Sequence, residues 1–237
     1  MIRRIAAPAI LWMAMIAVTL GFADTLSAQT PPNERDLRIY AGLHAAAAYG
    51  NVAEIERLIG DGERPNIQDS NSRTPLHVAV YQKHHAAARA LLRLGANPNA
   101  LDAQRYDVVT IAAVHNDIEM LNIVLEGGAS ARNVTSPYDG TALITAAHLG
   151  HVDVVRILIA HKAPLDHANM RGWTALHEAV VLGNGGPNHV ATVDALVKAG
   201  ADPDIKDRRG FTAIMYARQR RYDEIIKILE PVRGRRS

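Results

Sequence analysis

The sequence predicts an all-α solenoid of about six helix-turn-helix units, and three observations carry that expectation. First, a short stretch recurs along the chain, most fully as Asn169-Met170-Arg171-Gly172-Trp173-Thr174-Ala175-Leu176-His177-Glu178-Ala179. It returns as Arg73-Thr74-Pro75-Leu76-His77-Val78-Ala79, as Gly140-Thr141-Ala142-Leu143-Ile144-Thr145-Ala146 and as Gly210-Phe211-Thr212-Ala213-Ile214-Met215-Tyr216. Weaker copies begin at Ala41 and Asp107. Second, the spacing is regular: Ala41, Thr74, Asp107, Thr141, Thr174 and Thr212 stand 33, 33, 34, 33 and 38 residues apart. Third, the 237 residues are 48% hydrophobic but only 5% aromatic, which suits closely packed helices better than a cavity lined with large rings.

Each unit reads as two helices. In the first, Leu76, Ala79 and Val80, or Leu176, Ala179 and Val180, fall on one face at three- and four-residue spacing. In the second, Val152, Val155, Leu158 and Ile159 form the buried stripe. Leu94-Gly95-Ala96-Asn97-Pro98 and Ala199-Gly200-Ala201-Asp202-Pro203 then end it, because glycine takes the left-handed backbone that closes a helix C-terminus. Lys162 stands where Gly95 and Gly200 stand, so a left-handed lysine is expected there. The first unit lacks the Thr-Pro start, as suits an end cap, and the last ends in the polar run Arg218-Gln219-Arg220-Arg221. In the third unit, Asp107 and Thr110 replace the usual Thr and His, so a less rigid unit is expected. Asn184-Gly185-Gly186-Pro187-Asn188 is an insertion between the two helices of the fifth unit and accounts for the period of 38.

A period of about 33 residues with a Thr-Pro-Leu-His-x-Ala signature resembles the ankyrin-repeat family over residues 38–230. The units fall near 38–69, 70–102, 103–135, 136–168, 169–206 and 207–230. The resemblance implies hairpin-like fingers between units, with ligands touching the finger tips and the exposed side of the first helices. Carried onto this chain, the tips hold Arg73, Arg105, Tyr106, Tyr138, Met170, Arg171, Trp173, Arg209 and Phe211, and the first helices add Tyr81 and His148. Tyr, Trp, Met and Arg are residues that anchor protein interfaces. Trp173 and Phe211 directly precede a Thr, where an aromatic can equally pack the turn.

Little else in the sequence carries chemistry. His44, His77 and His177 occupy one position in three units, a repeat or more apart, so they belong to the scaffold rather than to a metal site. His84-His85 and His148/His151 read as surface residues at the helix turn, without the carboxylates a zinc site needs. No nucleophile elbow, phosphate-binding loop, dinucleotide fingerprint or His-Glu-x-x-His helix is present, so no enzyme, metal or cofactor is expected. With no cysteine, thiol catalysis, cysteine zinc sites and disulfides are excluded.

The N-terminus reads as a secretory signal over residues 1–28. Arg3 and Arg4 precede an uncharged stretch from Ile5 to Ala23, with small residues at Ala23 and Ala28 where cleavage fits. An uncleaved inner-membrane anchor over residues 5–23 is the alternative. Residues 29–37, with Pro31-Pro32, read as a linker, and 231–237 as a basic tail. Without residues 1–28 the chain keeps 24 basic and 23 acidic residues; a nucleic-acid binder normally shows a larger basic excess, and no nucleic acid is expected as a partner. The expected function is therefore non-enzymatic binding of a partner protein on a concave face, by a monomer in the periplasm or outside a Gram-negative cell. Two alternatives are an immunity or inhibitor protein that blocks a secreted toxin or enzyme, and a cryptic enzyme or metal protein.

Overall fold

Stacking of the repeated apolar faces makes this a two-layered structure. The coordinates, a computed structural model, describe residues 29–232; the expected signal or anchor and residues 233–237 of the tail lie outside them. A short helix α1 (Glu34–Ile39) precedes six helix pairs. They are α2 (Gly42–Ala48) with α3 (Val52–Gly60), α4 (Pro75–Tyr81) with α5 (His85–Arg93), and α6 (Val108–Val114) with α7 (Ile118–Glu126). Then come α8 (Ala142–Leu149) with α9 (Val152–Ala160), α10 (Ala175–Val181) with α11 (Pro187–Lys198), and α12 (Ala213–Arg220) with α13 (Asp223–Leu229). First helices pack on first helices from α2 through to α12, and second helices on second helices from α3 to α13. The polar run Arg218 to Arg221 at the end of α12 is exposed, as expected of a terminal unit.

The inner layer is the drier one. Every residue of α4 is buried, and so is every residue of α10. The outer helices bury one stripe only, such as Ala87, Ala88, Ala90 and Leu91 in α5. One unit alone would leave its Leu, Ile and Val in water, so each is stabilised by its neighbours, and burying such a side chain contributes about 1.5–3 kcal/mol.

Three details differ from expectation. Residues 29–37 are no linker: Asn33 caps α1 through bonds from the Arg35 and Asp36 amides, and Gln29 and Pro32 are buried. The insertion is partly absorbed as helix, since Pro187 and Asn188 begin α11, which has 12 residues where α3, α5, α7 and α9 have nine. In the third unit Asp107 caps α6 by accepting from the Thr110 amide at 2.8 Å. Asn133 Nδ2 donates to Asp107 at 2.9 Å, and the Thr110 and Thr135 hydroxyls bond at 2.9 Å. A different network thus replaces the Thr–His pair, so the loss of order expected there has no basis in missing bonds.

The helix-end alignment is met. Gly62, Gly95, Gly128 and Gly200 have φ between +91° and +100°, and Lys162 has φ +63°. A side chain in this region costs about 1 kcal/mol relative to glycine. Lys162→Gly is therefore expected to raise the melting temperature by about 2–4 °C, the response of a chain this size to 1 kcal/mol. A calorimetric scan with an unchanged or lower midpoint would contradict the strain.

Candidate functional site

The fingers are held open by one repeated side-chain device. Five residues before five of the six helix marks, a side-chain oxygen accepts two backbone amides, two and four residues on. Asp69 Oδ1 receives the Asn71 and Arg73 amides at 2.8 and 2.9 Å, and Asp102 Oδ1 those of Gln104 and Tyr106, both at 2.9 Å. Ser136 Oγ holds Tyr138 and Gly140, Asn169 Oδ1 holds Arg171 and Trp173, and Asp207 Oδ1 holds Arg209 and Phe211. Such Asx turns mimic a backbone turn and fix the loop without a strand. Neighbouring fingers then join edge to edge: Ala103 N donates to Asn71 O, Ser136 N to Arg105 O, and Met170 N to Tyr138 O, at 2.9–3.0 Å. At Gly172, φ is +77° and a Cβ would lie 2.8 Å from the Arg208 amide nitrogen, so only glycine fits.

This construction sorts the residues expected to touch a partner. Arg73 is fully buried and is withdrawn from the contact surface. Its guanidinium donates to Asp69 Oδ2 at 2.7 Å, Asp36 Oδ2 at 2.8 Å and the Thr30 carbonyl at 2.9 Å. Burial opposes the charge, but the bonds to Asp36 and Asp69 outweigh it and hold Arg73 ionised. Tyr81, Tyr106 and Trp173 are also corrected, being only 7%, 4% and 6% exposed. Trp173 Nε1 donates to Asp207 Oδ2 at 3.0 Å, and Tyr81 OH reaches Asp102 Oδ2 at 3.5 Å, so both rings brace the next finger. Phe211 is half-buried, its ring 5.2 Å from that of Tyr216. Arg105, Tyr138, Met170, Arg171 and Arg209 are exposed at the tips. Arg171 lies over the Trp173 ring at 5.3 Å and Arg209 over Phe211 at 5.7 Å.

Beside the tips, a cavity of about 60 Å³ opens between the fingers and the first helices. Its wall includes Tyr106, Tyr138, Thr145, His148, Asn169 and Glu178, together with Gln29 from the N-terminal segment. Glu178 is 6% exposed. Its Oε1 accepts from Asn169 Nδ2 at 2.8 Å, while its Oε2 has no hydrogen-bond partner. Burial pushes the Glu178 carboxyl up to about 7, against the opposing pull of Asn169 and Arg171. His148 Nδ1 stands 3.6 Å from Oε2, but burial, with help from His189, pushes that imidazole down to about 4. The pair is therefore a neutral histidine beside a carboxyl and not a salt bridge. Glu178 is absent from the residues expected as a site, yet the repeat marks it. At the same position the other units carry Ala45, Val78, Ile111, Thr145 and Tyr216, so one charge stands in a row without any other.

The comparisons with known proteins agree with this architecture. A family model described as ankyrin repeats matches residues 14–102 and 109–207. The chain belongs to the ankyrin-repeat family. Such repeats generally mediate protein–protein interaction. The chain is similar to the putative ankyrin repeat protein YahD of Escherichia coli, 31% identical over 185 residues, covering 78% of this chain and 92% of that protein. It is similar to an ankyrin repeat domain from Acinetobacter baumannii at TM-score 0.77 and 39% identity, covering 80% of this chain and 96% of that one. It is also 27% identical to human B-cell lymphoma 3 protein over 230 residues, covering 78% of this chain but 49% of that protein.

In this ankyrin solenoid the repeated histidines are structural links. The Nε2 atoms of His44, His77 and His177 donate to the carbonyls of Arg73, Tyr106 and Phe211, at 2.9, 3.3 and 3.0 Å. A carbonyl only accepts, so Nε2 carries the proton. In His77 and His177 that leaves Nδ1 to accept from Thr74 and Thr174. His84, His85 and His151, expected as surface residues at the helix turn, are half-buried and bonded. His84 and His151 donate to the Ala48 and Ala113 carbonyls, and His85 lies 2.9 Å from Asp117 Oδ2. Among the described residues no group of three or more His, Asp or Glu could hold a metal ion, and no helix is long and apolar enough to cross a membrane.

Two outcomes follow from the buried charges. Arg73→Ala leaves Asp69 and Asp36 without their cation, and breaking such a pair costs about 3–5 kcal/mol. Hydrogen exchange should then accelerate across residues 29–39, and unchanged protection there would show that Arg73 does not tether the segment. Glu178 has a folded-state affinity for protons raised above that of the unfolded chain. Its penalty is therefore absent below about pH 4.5 and grows until the pH has passed 7. Glu178→Gln should melt close to the parent at pH 4.5 and gain up to about 3 kcal/mol over it by pH 8. A gap that does not change with pH would refute the buried carboxyl.

Proposed function

We propose that this ankyrin solenoid is a non-enzymatic, monomeric binding protein that captures a partner protein across its finger tips in the periplasm or outside the cell. The observation that carries the reading is a built apolar pair. Tyr138 and Met170 are 41% and 47% exposed on adjacent fingers, and the Met170 amide donates to the Tyr138 carbonyl at 3.0 Å. Two large side chains are thus held on adjacent tips in water, with Arg171 beside Met170 in sequence and Arg105 on the finger before them. Aromatic, Met and Arg side chains are the ones that anchor interfaces, and a backbone fixed beforehand lowers the ordering lost on binding. The export signal read from residues 1–28 supports the compartment.

The test is capture of a partner from periplasmic extract of the source organism on the immobilised protein. One stoichiometric protein partner is expected, with affinity reduced tenfold or more, about 1.4 kcal/mol, in the Tyr138→Ala/Arg171→Ala variant at an unchanged melting temperature. Full affinity in that variant would remove these fingers from the interface. A partner found only in cytoplasmic extract would remove the export reading.

A further inference from the structure

Glu178 brings together three features that the scaffold does not use. It is the one charged residue in a position filled elsewhere by Ala45, Val78, Ile111, Thr145 and Tyr216. It is buried against the cavity with Oε2 unpartnered. His148 Nδ1, 3.6 Å from that oxygen, is an uncharged imidazole. A buried carboxyl with one oxygen outside any hydrogen bond is costly unless something brings a donor to it, and the pull of Arg171 does not offset its burial.

The geometry points to a subsite for a lysine side chain of the partner protein, its ammonium donating to Glu178 Oε2 while its methylenes lie along the cavity wall. This deepens the protein-binding reading and rests on it for the source of the lysine. The choice of lysine over arginine follows from the count of free oxygens. Guanidinium binds carboxylate best as a fork on two oxygens, and Oε1 is already taken by Asn169 Nδ2 at 2.8 Å. An ammonium is a compact point charge that needs only one, and the cavity of about 60 Å³ admits a small head group. The wall suits the stem, with Ile144 and the Tyr106 and Tyr138 side chains along it. Gln29 also lines the cavity, and its Nε2 is buried without a partner, so the amide reports directly on an occupant.

Titration of the purified full-length protein with n-butylammonium chloride, n-butanol and n-propylguanidinium chloride, followed by NMR, tests this. The readouts are the Glu178 carboxyl carbon, the Gln29 side-chain amide and the Ile144 methyls. Saturable shifts are expected with butylammonium, at an affinity about tenfold above butanol and above propylguanidinium, and an about tenfold loss in Glu178→Gln. That variant keeps an Oε1 acceptor for Asn169, and if it failed to fold, the comparison of ammonium with alcohol on the parent would decide alone. Equal affinities for ammonium and alcohol, or unchanged ammonium binding in folded Glu178→Gln, would overturn the subsite. Preference for propylguanidinium would overturn the choice of lysine. Partner capture with an inert cavity would leave the protein-binding reading standing without this subsite, and a responsive cavity without any captured partner would do the reverse.

Discussion

Everything on the binding side of this protein hangs from the oxygen that opens each finger. Asp69, Asp102, Ser136, Asn169 and Asp207 each turn two backbone amides inward, which leaves side chains of the turn, such as Gln104 and Arg105 or Met170 and Arg171, facing out. The device also links units. The second oxygen of Asp69 accepts from Tyr40 OH at 2.6 Å, and that of Asp207 accepts from Trp173 and from Tyr216 OH. One side chain thus sets the local turn and the register between neighbours. A finger built this way is ordered before a partner arrives, which lowers the entropy lost on binding.

The fold was legible in the sequence because its cause is periodic. An apolar face that no single unit can bury must recur with the unit, so spacing alone announces helix pairs, caps and the left-handed Lys162. The Asx turns were equally periodic, at five residues before five of the six marks, but Asp, Asn and Ser are common in loops and their side-chain bonding is local. The N-terminal segment was not legible. Nothing in Pro31-Pro32 shows that Arg73, more than thirty residues away, will reach back to Thr30 and Asp36.

Contact residues were the least legible. Arg73, Tyr81, Tyr106 and Trp173 share residue types with true interface anchors, because the property that makes Arg or Trp useful at an interface also makes it useful as a brace. A broad apolar body with a polar tip fills the gap between two fingers and reaches a carboxylate beyond it, as Trp173 does with Asp207. Which role applies depends on the neighbouring unit, and that neighbour lies a repeat away in sequence. Burial separates the two roles where composition does not.

Departures from a repeat divide in the same way. Lys162 breaks the pattern at a helix end, where its exposed side chain meets water and its only consequence is backbone strain. The insertion after Gly183 breaks it by lengthening α11, and the gap is closed by Tyr222 OH bonding the Gly183 carbonyl at 3.1 Å. Both changes are settled by local adjustment. Glu178 breaks the pattern inside the inner layer, where Asn169 of its own unit serves one of its two oxygens and a neutral His148 of the preceding unit stands by the other. A scaffold that satisfies its own fingers by repetition has no spare repeat to satisfy a charge found once. The unsatisfied oxygen therefore belongs to whatever enters the groove, and the same reasoning ranks single-copy buried charges above exposed variable residues as markers of what a solenoid recognises.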